Sequence, residues 1–229
     1  MVTIGLICEG ITDHIVIKHI IAGYLGNYDI SVSELQPKVN PTDEHKSTPG
    51  NWDQVFKYCQ SSDFEEGLNS NPSLYVIIHL DSDVFRTKEV PRKYWFEFNN
   101  TDGTALNTEE IIDNIKGLLI KNIGTEIYNA YANRILFAIA VNETECWLLP
   151  FYETGKQRSK EVNCLNTLNK KIAAKLPFTI AKKEPKYYVK VAQPLLKQKH
   201  FLKLYTFNPS LEIFCQQLED LPIEKEPES

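Results

Sequence analysis

Acidic side chains follow three apolar segments of the sequence, at the point where each segment ends. Glu9 follows TIGLIC, Asp81 and Asp83 follow LYVIIHL, and Glu143 and Glu145 follow ILFAIAV. A single acid after a strand is most often a cap or a turn former. Several carboxylates in one place repel each other, and a divalent cation relieves that repulsion. Three such groups therefore favour a metal site for Mg²⁺ or Mn²⁺, which prefer hard oxygen ligands.

The elements that would position these acids alternate between strand and helix patterns. Apolar and alternating runs predict strands over 3–8, 29–35, 74–80 and 135–141. Apolar residues at helical spacing predict helices over about 12–25, 51–59 and 107–121. Strands separated by helices indicate a mostly parallel α/β sheet flanked by helices, in which ligands bind beyond the carboxyl ends of the strands. We therefore expect the acids to converge at one edge of a Rossmann-like sheet.

A glycine, a threonine and three histidines near the predicted strands give further predictions. Gly10 fits a tight turn that would let a phosphate approach the backbone at the start of a helix, and Thr12 is predicted to cap that helix. His14 and His19 lie on the same helix, where we expect them to be partly exposed. His79 lies within an apolar strand and is predicted to be a core residue with its polar atoms satisfied.

The composition is that of a globular protein: 229 residues, net charge −5, 42% hydrophobic residues and 11% aromatics. The apolar runs are much shorter than the roughly 18 residues of a membrane helix, and the first residues lack a secretory pattern, so we expect a cytoplasmic protein without a membrane partner. The cysteines are scattered in apolar surroundings, which predicts reduced core thiols at Cys8, Cys59, Cys146, Cys164 and Cys215.

Charge is distributed unevenly along the chain. Residues 1–150 carry 11 basic and 21 acidic side chains, whereas residues 151–208 carry 13 basic and 3 acidic ones. We therefore predict a core over 1–150 and a basic helical extension over 151–229, packed on the core as one compact unit. Aromatic residues interleave with the lysines of the extension, which is compatible with a nucleic-acid surface and equally with an amphipathic helical layer whose aromatics are core.

The order of these motifs resembles a known fold family. The run Ile7-Cys8-Glu9-Gly10 followed later by Asp81-Ser82-Asp83 resembles the two motifs of the TOPRIM domain. Three further segments extend the similarity to small stand-alone TOPRIM-like proteins without assigned function, relatives of the overcoming-lysogenisation-defect (OLD) nucleases and of RloB-like proteins: Glu145-Cys146-Trp147-Leu148-Leu149, Gly50-Asn51-Trp52 and the closing segment from Asn208 to Phe214. The resemblance spans the chain from about residue 7 to 218.

This resemblance implies metal-dependent phosphoryl transfer on nucleic acid. It assigns one or two Mg²⁺ or Mn²⁺ ions to Glu9, Asp13, Asp81, Asp83 and Glu145, with Glu9 and Asp81 as catalytic residues and Glu9 as the proton-transfer group. Related nucleases also recruit a lysine against the developing charge, and Lys156, Lys186 and Lys190 are among the candidates. The resemblance also favours nucleic-acid contact by the extension, through Lys182, Lys183, Lys186 and Lys190.

The resemblance further implies a cellular role and leaves two alternatives open. OLD nucleases are fused to an ATPase domain, whose phosphate-loop motif this sequence does not show, and their small relatives are often encoded beside an ATPase in prophage or phage-defence settings. The resemblance therefore implies a separately encoded ATPase partner and an effector role in bacterial antiphage defence or a toxin-like system. A non-catalytic TOPRIM scaffold or nucleotide-binding partner of an ATPase is one alternative. The other is a Mn²⁺-dependent glycosyltransferase that uses the D-x-D motif, although Glu9 and Gly10 have no role in that interpretation.

Overall fold

A computed structural model of the chain describes residues 2–40, 43–47, 50–87 and 90–223. Four parallel strands form the central sheet in the order β2–β1–β5–β6, with bounds β1 Thr3–Ile7, β2 Ser31–Gln36, β5 Leu74–Asp81 and β6 Ile135–Ala140. A small antiparallel pair joins β3 Val39–Asn40 to β4 Asp43–Ser47. The predicted parallel α/β sheet is therefore confirmed, and the second strand begins two residues later and ends one residue later than the predicted 29–35.

Helices flank the sheet. Their bounds are α1 Ile11–Leu25, α2 Trp52–Cys59, α3 Ser62–Ser70, α4 Thr108–Ile123, α5 Thr125–Tyr131, α6 Glu145–Tyr152, α7 Cys164–Ile172, α8 Pro185–Val191, α9 Gln198–Phe201 and α10 Pro209–Gln217. Asn107 and Glu110 form a reciprocal capping box at the start of α4, as their spacing predicts. Helix α1 begins after Gly10 without a side-chain cap, so the prediction that Thr12 caps it is wrong. None of the described helices is both long and apolar enough to cross a membrane.

Alternate residues of each central strand feed two separate hydrophobic cores. In β1, Leu6 belongs to the core shared with α1 and the C-terminal helices, whereas Ile7 belongs to the core under α2, α3 and α4. The period-two alternation of side chains in a strand produces this division. Burial on both faces explains why β5 and β6 have almost no polar residues before their carboxyl ends.

The edge of β6 is covered by one side chain. The backbone N–H of Phe137 donates to Gln217 Oε1 over 2.9 Å, and Gln217 Nε2 donates to the Phe137 carbonyl over 2.9 Å. Gln217 lies at the end of α10, which packs along β6. The side-chain amide therefore satisfies both polar groups that Phe137 presents at the edge of the sheet.

The cysteine prediction holds for three residues and fails for two. Cys8, Cys59 and Cys215 are free and buried, but Cys146 and Cys164 form a disulfide with their Cα atoms 5.0 Å apart. The two cysteines are 18 positions apart in the chain, which hides their proximity in the sequence. They meet because α6 packs directly against the start of α7. Disulfides are rare in cytosolic proteins, so this pairing removes the cysteine argument for a cytoplasmic location.

The basic segment shares a hydrophobic core with the sheet. Tyr188 and Phe201 are fully buried there, and Phe151 and Tyr152 are buried beside them. Half of the eight interleaved aromatics are therefore buried core residues, which cannot stack on bases; Phe178, Tyr187 and Tyr205 are half-buried against the same core, and Phe207 is exposed. The predicted boundary between 150 and 151 falls inside α6, and the last residues of the predicted extension, 224–229, lie outside the described residues.

Candidate active site

The five predicted acids lie at the carboxyl end of three neighbouring strands. Glu9 lies in the turn after β1, and Asp13 lies in the first turn of α1. Asp81 ends β5, and Asp83 lies in the 3₁₀ segment that follows it. Glu145 opens α6, five residues after β6. Because β1, β5 and β6 are parallel and adjacent, the chain brings these residues to one edge of the sheet.

Glu9 and Asp81 are in direct contact across the two central strands. The backbone N–H of Asp81 donates to Glu9 Oε1 over 2.9 Å. Burial raises the pKa of Glu9 to about 8; the Asp81 N–H opposes this shift, and the charges of Asp13 and Asp83 add to it. The Glu9 carboxyl therefore exchanges its proton close to neutral pH.

A buried threonine lies between the carboxylates of Asp81 and Asp13. Thr144 Oγ1 is 2.7 Å from Asp81 Oδ1 and 3.5 Å from Asp13 Oδ1. Burial raises the pKa of Asp13 to about 7, with Lys183 opposing the shift and Glu145 adding to it. Burial and the neighbouring charges of Asp13 and Glu9 raise the pKa of Asp81 well above its usual range. The site therefore holds more buried negative charge than its surroundings compensate.

Two residues of the basic segment contact Glu145, which is fully buried. Lys183 Nζ lies 3.1 Å from Glu145 Oε1 and 3.3 Å from Oε2, and the Tyr188 hydroxyl donates to Oε1. Burial lowers the pKa of Lys183, but the carboxylates of Glu145, Asp81 and Asp13 outweigh it, and the net shift is upward. Lys183 therefore stays charged as the closest cation to the acid cluster, and the extension completes the site.

Asp83 and Glu143 lie at the margin of the cluster. Asp83 is exposed, and its backbone N–H donates to the Asn142 carbonyl over 3.1 Å, which joins the loops after β5 and β6. Burial of the carboxyl raises its pKa, with Lys183 opposing and Glu145 adding to the shift. Glu143 instead accepts a 2.9 Å hydrogen bond from Leu165 N–H at the start of α7. This contact directs Glu143 toward α7 and leaves Glu145 as the acid of this loop nearest to Lys183.

An open cleft of about 390 Å³ exposes the cluster to solvent, lined by residues that include Glu9, Asp13, Asp81 and Lys183. Gly50 lines the same cleft, where a Cβ atom would lie 2.2 Å from the Glu9 carbonyl oxygen. Only glycine allows this close approach of the two loops.

The predicted nucleic-acid-binding lysines differ from one another in their surroundings. Lys182, Lys186 and Lys190 are exposed. Lys186 pairs with Glu184 over 2.6 Å. Lys183 is exposed as well, with 46% of its side chain accessible, but its ammonium contacts the buried Glu145. We call Lys182, Lys186 and Lys190 the exposed group, and Lys183 belongs to the acid cluster through its ammonium.

The donor chemistry fits a divalent cation. Glu9, Asp13, Asp81 and Asp83 offer hard carboxylate oxygens, and burial raises the pKa of each of them. Among the described residues, no three of the predicted acids have ligand atoms within 4.8 Å of one another; the group that meets this distance joins Glu143 to Cys146 and Cys164. Its thiols are used by the disulfide, so that group does not fit Mg²⁺ or Mn²⁺.

Sequence reasoning missed several neighbours of the cluster. Thr144 and Tyr188 carried no signal, because each acts through a contact distant in the chain. His14 is fully buried with Nε2 2.9 Å from the Gln36 carbonyl oxygen, so its predicted exposure is wrong, whereas His19 is half-buried as expected. His79 is a core residue as predicted, but only Nε2 has a partner among the described residues.

Comparison with known proteins adds no relative: no family model matches the chain, and no curated protein or solved structure is significantly similar to it. The TOPRIM resemblance therefore depends on the motifs and their positions in this fold.

Proposed function

We propose that this protein is a divalent-metal-dependent nuclease of the TOPRIM type, which hydrolyses phosphodiester bonds in DNA or RNA. The single observation that carries the proposal is the convergence of Glu9, Asp13, Asp81 and Glu145 around Lys183 at the carboxyl edge of a parallel sheet. Open parallel sheets bind their ligands at this edge. Buried carboxylates with raised pKa values in a cleft are typical of functional sites.

The acids of the cluster would hold Mg²⁺ or Mn²⁺, with Glu9, Asp13, Asp81, Asp83 and Glu145 as the residues in reach of it. A bound cation of this kind supplies charge neutralisation for a phosphoryl group and lowers the pKa of a coordinated water. Glu9 holds and releases a proton near neutral pH, because its pKa is about 8. Lys183 presents a fixed positive charge at the cleft, suited to the negative charge of a reacting phosphate.

The exposed lysines would attract the nucleic-acid phosphates that the acids repel. A carboxylate-rich cleft repels a phosphate backbone, and exposed cations nearby offset that repulsion. Lys182 directly precedes Lys183 in the chain, and Lys186 and Lys190 lie on α8, next to the cleft residue Pro185. We infer that these lysines bind nucleic-acid phosphates and leave the bases to other contacts, since half of the aromatics of the segment are buried and three more pack against the core.

Purified protein incubated with supercoiled plasmid, single-stranded DNA or RNA tests the proposal directly. We expect cleavage with Mn²⁺ or Mg²⁺ and none with EDTA. We expect Asp81→Asn to reduce the rate by more than about 100-fold, since the loss of even an outer partner of a metal ligand typically costs about 10- to 100-fold. Asp113→Asn, a change of the same chemistry at an exposed position of α4, should leave the rate unchanged.

Cleavage by the Asp81→Asn variant at the wild-type rate would point to a contaminating nuclease and contradict the proposal. Release of sugar from a nucleotide sugar, lost in Asp81→Asn, would favour a glycosyltransferase instead. If every substrate stays intact, with or without an added ATPase, the scaffold interpretation takes its place.

The biological setting remains a proposal on the motif resemblance. We propose that the nuclease is a cytoplasmic effector of bacterial antiphage defence or of a toxin-like system, controlled by a separately encoded ATPase. Co-purification of the tagged protein from its native host tests this partnership. Recovery of an ATPase in stoichiometric amount is the expected result, and recovery of the chain without an ATPase would contradict it.

A further inference from the structure

A chain of hydrogen bonds behind the acid cluster links Asp81 to the interior of the protein. Thr144 Oγ1 lies 2.7 Å from Asp81 Oδ1 and 3.0 Å from His79 Nε2. Thr144 and His79 are both fully buried, and neither lines the cleft. Within β5, His79 precedes Asp81 by two residues, so both side chains leave the strand on the same face.

The hydrogens of this chain can be assigned. His79 is fully buried and its Nδ1 has no hydrogen-bond partner among the described residues, so an N–H on both ring nitrogens would leave one buried donor unpaired; a neutral ring with one N–H fits this setting. The Thr144 hydroxyl has a single hydrogen, and the shorter of its two carboxylate contacts is to Asp81. An ionised Asp81, the state in which it would bind a cation, can only accept, so the hydroxyl hydrogen then goes to Asp81 and Thr144 Oγ1 must accept from His79 Nε2–H. His79 Nδ1 is then an unprotonated acceptor, and it has no hydrogen-bond partner among the described residues.

Packing fixes the imidazole in this orientation. The Trp147 ring packs edge to face against the His79 ring, with centroids 5.7 Å apart. The same indole also stacks on the ring of Phe214. Trp147 Nε1 donates to Ser210 Oγ over 2.7 Å, which joins the indole to the start of α10. The tryptophan of the Glu145–Leu149 motif thus supports the back of the site and does not face the cleft.

We propose that Thr144 and His79 are positioning residues for Asp81: His79 donates to Thr144, Thr144 donates to Asp81 Oδ1, and the carboxylate is held in one orientation toward the cleft. This inference rests on the proposed function, because it concerns the same metal site. An outer partner that orients a ligand raises metal affinity by reducing the reorganisation that binding requires.

Direct binding of Mn²⁺ to the purified protein, measured by calorimetry, tests the inference without any substrate. Thr144→Val keeps the shape of the side chain and removes the hydroxyl, and we expect it to weaken Mn²⁺ binding by about 10- to 100-fold. Thr144→Ser restores the hydroxyl and should retain the wild-type affinity. A loss of the same size in the serine variant would indicate a packing defect and overturn the inference.

A double-mutant cycle separates positioning from general destabilisation. His79→Leu should weaken Mn²⁺ binding as Thr144→Val does, and the double variant should be no weaker than Thr144→Val alone. His79 Nε2 lies 3.6 Å from Asp81 Oδ1, beyond a hydrogen bond, so we expect its effect to pass through Thr144. Additive losses would overturn the inference. A wild-type protein that binds no Mn²⁺ would instead contradict the proposed function itself, so the two failures are distinguishable.

The tautomer of His79 provides a measurement on the unmodified protein. We expect ¹⁵N resonances of a neutral ring protonated at Nε2. Because this experiment uses the wild-type protein, its result does not depend on whether the Thr144→Val variant folds. A ring protonated at Nδ1 would reverse the direction of the hydrogen bond to Thr144 and overturn the inference.

Discussion

The acid cluster and the exposed lysines are equally prominent in the sequence, but in the structure they differ in burial and in the elements that position them. The acids are held by the ends of β1, β5 and β6, and Asp13, Asp81 and Glu145 are buried. The lysines lie on short helices and turns, and Lys182, Lys186 and Lys190 point into solvent. Side chains held in a fixed geometry are suited to catalysis, whereas flexible exposed charges are suited to attracting a polyanion.

Lys183 belongs to the first group although the sequence places it in the second. Its ammonium contacts the buried carboxylate of Glu145, although both Lys183 and its neighbour Lys182 are exposed residues. We therefore expect two identical neighbours in the chain to have different roles: Lys183 in the acid cluster and Lys182 in attracting nucleic acid. The comparison teaches that charge counting locates a surface but does not identify which of its members takes part in chemistry.

The largest effect we expect comes from separating these two lysines. Lys183→Met should lower the cleavage rate at saturating substrate by more than about 100-fold, because it removes the cation nearest to the reacting phosphate, a loss comparable to that of one fixed transition-state donor. Lys182→Met should leave that rate unchanged. Single-turnover cleavage of a labelled oligonucleotide measures both variants.

Equal rates for Lys183→Met and the wild type would show that the ion pair with Glu145 serves the fold alone. A thermal unfolding scan of each variant accompanies the assay, so that loss of structure is not mistaken for loss of chemistry.

A smaller effect follows from the raised pKa of Glu9. The unfolded carboxyl titrates near 4.5 and the folded one near 8, so the folded protein binds more protons between these values and its stability falls as pH rises through this window. In EDTA, Glu9→Gln should match the wild type at pH 5 and unfold a few degrees higher at pH 8, since about 1 kcal/mol shifts the Tm of a domain of this size by about 2–4 °C.

Mn²⁺ should reverse this order at pH 8, because the wild-type carboxylate then gains a cation that glutamine attracts less. Glu97→Gln, at an exposed position, should unfold at the wild-type temperature in all conditions. A wild-type protein whose metal-free stability rises from pH 5 to pH 8 would contradict the burial of an uncompensated carboxyl.

The smallest effect concerns the exposed group. Lys182→Ala and Lys190→Ala should each weaken nucleic-acid binding a few-fold and reduce the slope of log Kd against log salt by about 0.7–0.9, the value for one phosphate contact. Lys121→Ala, an exposed change on α4, should leave the slope unchanged. Fluorescence anisotropy with a labelled oligonucleotide over a salt series measures these slopes. An unaltered slope for both variants would limit the interface to Lys183 and the acids.

Sequence reasoning succeeded where the signal is local. The apolar runs over 74–80 and 135–141 are strands buried on both faces, and the Asn107 capping box starts α4. The meeting of Glu9 with Asp81 also follows from sequence, because parallel neighbours bring their carboxyl ends to one edge.

It failed where the outcome depends on contacts between distant segments. Three such contacts join α6 to the segment that follows it: the ion pair of Lys183 with Glu145, the hydrogen bond from the Tyr188 hydroxyl to Glu145, and the disulfide of Cys146 with Cys164. Composition identifies that segment as basic, but only packing decides which of its side chains reach the sheet. His14 was misjudged for the same reason, since its burial comes from packing around α1 and β2.

Gln217 acts as a one-residue substitute for a fifth strand. An outer strand normally offers unpaired amides to any extended peptide, and a neighbouring copy could extend the sheet there. By pairing with Phe137 through both ends of its amide, Gln217 occupies the hydrogen-bonding position at the middle of β6. Growth of the sheet past β6 would first require α10 to withdraw, and that helix is packed into the core that supports Trp147. The protein thus protects its outer strand from aggregation with the same helix that buttresses its site.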